Sequence, residues 1–184
     1  MRSFARPLLA ALLLAVTPAP MVLAQPSFWN VDEQASLDIL YEHLKSAPDD
    51  TTARAIAEEI WGIWTKPDDK VVAARFAEIL DKTGLTGPAA QMPLIDALIA
   101  DYPNYPEGWN LRATAKFVSG DYEGSLADIT ETLKREPNHF GALAGRALIF
   151  HSQGRSEEAL AAIKAALAVH PFLSERGLFP ELGP

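Results

Sequence analysis

The chain has 184 residues, 48% of them hydrophobic, with 24 acidic against 16 basic residues and a formal net charge of −8. That balance disfavours nucleic acid and anionic membrane surfaces, whose phosphates need clustered lysine and arginine. There is no cysteine, which excludes a disulfide framework, a lipid-modified N-terminal cysteine and any thiolate ligand or nucleophile.

Arg2 and Arg6 precede an apolar run from Leu8 to Val16 and then Pro18 and Pro20, and Val22-Leu23-Ala24 ends on a small residue. Residues 1–24 therefore read as a secretory signal peptide, with a mature chain starting at Gln25, exported to a bacterial periplasm. The apolar run is about half of the roughly 20 residues a bilayer span requires, so no stable membrane insertion is expected after cleavage. Cleavage removes Arg2 and Arg6 and no acid, which takes the charge from −8 to −10. The mature chain, 25–184, has a length suited to one continuous core and a single domain.

Asn30 is a good N-cap, and Leu37, Leu40, Tyr41 and Leu44 follow at one-face helical spacing. After Pro48-Asp49-Asp50, Ala53, Ile56, Ala57, Ile60, Trp61 and Trp64 repeat it, giving an irregular helical hairpin over 31–65. A third helix carries Val72, Phe76, Ile79 and Leu80 and closes around Gly84 and Gly87. The fourth, with Leu94, Ile95, Leu98 and Ile99, either starts near Met92 or kinks at Pro93. Four more helices read as about 107–119, 121–135, 139–153 and 156–169. The apolar tail, 172–184, is too short for another pair, and with the first hairpin it is a natural end cap.

Within these elements Pro103, Pro137 and Pro171 are evenly spaced, since 137 − 103 = 34 and 171 − 137 = 34. At the same interval Gly120 returns as Gly154, Ala113 as Ala147, Ile129 as Ile163 and Leu133 as Leu167, while Leu143 answers Trp109. Paired helices around a central glycine, repeating with a period of about 34 residues, resemble the tetratricopeptide repeat. The resemblance covers 106–137 and 140–171 well and 72–103 as a degenerate unit, in which Thr86 replaces the central glycine. It implies an all-α, helical-hairpin solenoid of about eight helices. Departures are Arg112 and Lys116 on a first helix where the family often has leucine and tyrosine, Arg146 followed by Phe150 in the next unit, and Ser125 and Thr132 in place of alanine.

The family commonly binds along the face of its first helices. Carried over by register, that face reads Ala73, Phe76 and Leu80, then Glu107, Asn110, Thr114 and Phe117, then Gly141, Ala144, Leu148 and His151. The resemblance thus implies an apolar partner-binding groove built on Phe76, Leu80, Asn110, Thr114, Phe117, Leu148 and His151. Only Asn110 resembles the lysine, arginine and asparagine set with which some members grip a peptide carboxylate, so that clamp is not expected. The rival reading is that the first hairpin or the tail fills the face as ordinary core. Irregular spacing around Pro67 and Pro93 lets the hairpin either continue the array or fold across it.

Catalytic and metal motifs are missing. His43, His139, His151 and His170 have no partner at metal-ligand spacing, and no G-x-S-x-G elbow or phosphate loop occurs. No metal and no cofactor are expected. Asp49-Asp50, Asp68-Asp69 and Glu157-Glu158 sit at helix starts, where the dipole favours acids, and Glu58-Glu59 occupies a solvated face, so none needs a glycosidase reading. Trp61, Trp64 and Trp109 fit core spacing, and Trp29 is less determined. The function expected is a non-catalytic protein–protein adaptor or scaffold in the cell envelope, binding a protein or extended peptide. The alternative is an enzyme-accessory or carbohydrate-binding subunit acting on envelope polymer, with Trp29 and exposed acids near a cleft.

Overall fold

The computed structural model describes residues 27–183, so the signal peptide read over 1–24 lies outside the described residues. Among them are eight α-helices and no strand: α1 Val31–Lys45, α2 Asp50–Thr65, α3 Lys70–Thr86, α4 Met92–Asp101, α5 Pro106–Val118, α6 Tyr122–Arg135, α7 Phe140–Ser152 and α8 Ser156–Val169. The helix starts follow side-chain chemistry. Asn30 accepts from the amides of Asp32 and Glu33 while the Glu33 carboxylate accepts from the Asn30 amide, a complete capping box. Asp49, Asp69 and Asp121 cap α2, α3 and α6 by the same device.

The best repeats superimpose in sequence. Helices α7 and α8 begin one full period after α5 and α6, and Gly120 (φ +81°) and Gly154 (φ +72°) end α5 and α7 in the left-handed region that other residues resist. Ser125 crosses α5 closely and donates to the Ala113 carbonyl at 2.7 Å, which accounts for serine where alanine is usual. The degenerate unit differs from expectation at its turn. Helix α3 runs through Gly84 to Thr86, a 3₁₀ turn over Pro88–Gln91 follows, and Pro93 sits in the first turn of α4, where its missing donor costs nothing; the helix starts there and is not kinked.

The first hairpin is not simply an end cap. It folds back along the loops that carry the periodic prolines, and α1 reaches α8. From the first loop, the Tyr105 hydroxyl donates to the Trp64 carbonyl at 2.6 Å. From the second, His139 stacks on Trp64 with ring centroids 4.1 Å apart and planes within 10°. From the third, His170, Phe172 and Leu173 face Asp50 and Arg54 of α2 across a shallow pocket. One hydrophobic core consequently runs from Trp29 to Phe179. The tail closes the other end with 3₁₀ turns over Ser174–Leu178 and Pro180–Leu182, burying Phe179 against His151 at 5.4 Å.

Candidate functional site

Two sites are built on the same repeats. At the seam under the first hairpin, Trp29, Tyr41, Trp64, Glu107, Glu136 and His139 are each at most 5% exposed. Their polar atoms are matched in a chain. The Trp29 indole donates to Glu136 Oε2 at 3.2 Å, the Trp64 indole to Tyr41 Oη at 3.2 Å, and the Asn138 amide to Glu136 Oε1 at 3.2 Å. The Ala142 amide donates to His139 Nδ1 at 3.0 Å, which fixes the proton on Nε2, and that N–H donates to Glu107 Oε1. His139 thereby caps α7 with one nitrogen while holding Glu107 with the other. Burial pushes the Glu136 carboxyl above the usual carboxylate range despite the donors around it, and keeps the Tyr41 phenol neutral. Among the described residues no buried side-chain polar atom lacks a partner.

The second site is an open groove between α5 and α7, with a cavity of about 190 Å³. Asn110, Thr114 and Phe117 form one wall, Gly141, Gly145 and Leu148 the other, and Ser125 and Ile129 of α6 the floor; Glu175 of the tail stands at the rim. The opening exists because residues at the helix approaches are small. A Cβ on Gly145 would meet only the Ile129 side chain, at an ordinary 3.7 Å.

Of the seven groove residues expected from register, the structure brings Asn110, Thr114, Phe117 and Leu148 together. Phe76 and Leu80 are elsewhere. Phe76 is 2% exposed and packs edge-on to Tyr105, which Phe28 and Trp29 cover, and Leu80 is half-buried against the same core. The aromatic lead before α1 fills the position that the register left open. His151 lines a separate small pocket with Phe179 and Glu181. Glu107 and Ala144, also on the carried-over face, are buried. Sequence reading missed Gly145, Ser125, Ile129 and Glu175. Gly141 and Gly145, one turn apart on α7, were a legible sign of a close approach, whereas nothing in the sequence ties Glu175 to the groove.

The tryptophans separate too. Trp61 is 51% exposed, a correction to its expected burial: α2 packs through Ala53, Ile60 and Trp64, and Trp61 lies about 100° around the helix from Ile60. Trp109 is half-buried between two guanidiniums, Arg112 at 4.9 Å and Arg135 at 4.7 Å. The departures at Arg112 and Lys116 compensate each other through Asp128 of α6. Arg112 forks onto both Asp128 oxygens at 2.8 and 2.9 Å and reaches Asp96 of α4 at 2.8 Å, and Lys116 adds a 2.7 Å contact.

Paired helices stacked at a fixed period, with an open groove between their first helices, define a helical-repeat protein. The tetratricopeptide repeat model matches residues 110–173. A TPR repeat-containing protein of Rhizobium etli is 35% identical over 169 residues, covering 88% of this chain and 82% of that protein. No solved structure matches. The chain belongs to the tetratricopeptide repeat family, whose members generally mediate protein–protein interaction and are generally non-catalytic. Among the described residues no helix is long and apolar enough to cross a membrane.

Proposed function

We propose that this protein is an exported, non-catalytic adaptor that holds an extended segment of a partner protein in the groove between α5 and α7. The observation that carries the reading is the groove itself, left open by Ser125, Gly141 and Gly145 although the first hairpin and the tail could both have filled it. Instead the hairpin is spent on the seam and the tail on the far end of α7 and α8. Export to a periplasm is supported by Arg2 and Arg6, the apolar run to Val16 and the small residue at Ala24. The saccharide-binding alternative loses its handle, because Trp29 is 5% exposed and gives its indole N–H to Glu136.

A photo-crosslinking residue at Thr114, which is exposed on the groove wall, tests the reading in cells. The Gly145→Leu variant is the control. It fills the cavity from a helical position with room for a Cβ, and replacing a mid-helix glycine favours the fold by roughly 0.5–1 kcal/mol. A specific envelope protein crosslinked in the wild type and lost in Gly145→Leu, with unchanged thermal stability, is the result expected. Crosslinks indifferent to Gly145→Leu, or none above background, overturn it.

A further inference from the structure

The groove has a charge signature that selects among extended segments. Its walls and floor are neutral, and the one charged group lining it is Glu175. Among the described residues that carboxylate makes no ion pair; it accepts from the Ser174 hydroxyl at 3.2 Å. Glu175 also borders the shallow pocket that holds Arg54 and His170, where Arg54 pairs with Asp50; the other cations near the repeats are committed elsewhere. Arg112 and Lys116 turn to Asp128, Arg135 to Glu131 and the Pro103 carbonyl, Arg155 to Glu158, and Arg176 to the Gly183 carbonyl. Arg112 lies two residues from both Asn110 and Thr114, on the opposite side of α5 from the groove, and Arg146 holds the same register on α7. One of the two Asn110 Nδ2 hydrogens is engaged by Glu107 Oε2 at 3.1 Å, which orients the amide, and its carbonyl oxygen stands as an acceptor. A carboxylate entering here would meet the like charge of Glu175 and a chain of net charge −8.

We infer that the groove takes an extended peptide segment with a compact apolar side chain in the cavity and a lysine or arginine reaching Glu175, and that it rejects acidic segments and free C-terminal carboxylates. This rests on the adaptor reading of the same groove. The apolar residue supplies burial between Phe117, Ile129 and Leu148, a backbone N–H of the segment donates to the Asn110 carbonyl oxygen, and the cation sets orientation by meeting Glu175, the charged residue among those that line the groove. A rim pair of this kind is worth up to about fivefold in affinity, enough to rank ligands without dominating binding.

The test uses the full chain and a random pool of acetylated, amidated octapeptides, scored for peptides retained by the wild type and not by Gly145→Leu. Thr114→Trp serves as a second groove-filling variant should Gly145→Leu lose thermal stability. Groove-dependent peptides enriched about fivefold in lysine or arginine over aspartate and glutamate, with the enrichment falling to about unity in Glu175→Gln, are expected. Groove-dependent peptides without a basic preference, or with one that Glu175→Gln leaves intact, overturn the charge assignment while the adaptor reading stands. If no peptide depends on the groove, the adaptor reading fails and this inference with it.

Discussion

The seam, where the first hairpin docks on the two repeats, and the groove within those repeats use opposite materials. At the seam, bulky aromatics and buried carboxylates are locked by matched donors, and nothing is open; at the groove, alanine, serine and glycine leave a cavity that no side chain enters. Volume and polar matching are spent where units distant in sequence must dock in one geometry, because an unmatched buried polar group costs about 1–3 kcal/mol and so penalises every other docking. Small residues are kept where something else is to be bound. Substitutions at the seam should therefore be read out as stability and those at the groove as binding.

The sharpest way to break this division is Trp64→Ala. Trp64 is 1% exposed, stacks on His139, touches Phe140 and donates to Tyr41, so its loss removes packing from all three neighbours at once. A cost of about 3–5 kcal/mol is expected in urea unfolding. A cost below about 1 kcal/mol, the size of an ordinary surface change, would mean that the hairpin is an appendage and the repeats stand without it.

The pH dependence probes the same seam through Glu136. Its carboxyl is raised by burial, so the folded state binds the proton more tightly than the unfolded chain, whose glutamate titrates at about 4.3. The stability this residue contributes is thus fully present below the unfolded value and lost as pH rises through the folded one. Glu136→Gln removes the titration and forfeits one acceptor oxygen, a cost of about 1 kcal/mol at pH 5. The gap between wild type and variant in urea unfolding should narrow between pH 5 and pH 7. A gap that widens would place the donors from Trp29 and Asn138 above desolvation as the controlling effect.

What could be read in the sequence divides along the same line. The repeat pairs, their caps and the two left-handed glycines are local signals that recur at a constant interval, and the helices lie where Asp121, Gly120 and Gly154 place them. The seam joins Trp29 to Glu136 across 107 residues, and no periodicity connects a residue before α1 to a loop between α6 and α7. Phe76 shows the consequence: its register points to a groove, but the aromatic lead packed on Tyr105 closes that part of the face. Asn110, Thr114, Phe117 and Leu148 escape this because the neighbouring unit is a clean repeat on both sides.

The smallest effect expected compares the two repeats directly. Arg112 is held by Asp128 and Asp96, and one period further on, Arg146 finds Ala162 and Thr130 at the corresponding places. Burial lowers the Arg146 guanidinium below the usual arginine range, with no opposing carboxylate among the described residues. Ala162→Asp should rebuild the missing pair. Aspartate in a helix interior costs roughly 0.5 kcal/mol against alanine, and a charge-assisted bond returns about 1.5–3 kcal/mol, so a net gain of about 1 kcal/mol is expected. The same substitution in an Arg146→Gln background should destabilise, because it then buries an unpaired acid in a site 8% exposed. That reversal of sign, measured as a double-mutant cycle, separates a repeat-encoded site from a general effect of added charge. If Ala162→Asp destabilises both backgrounds equally, the correspondence between repeats holds for the backbone and the packing residues and does not extend to this polar position.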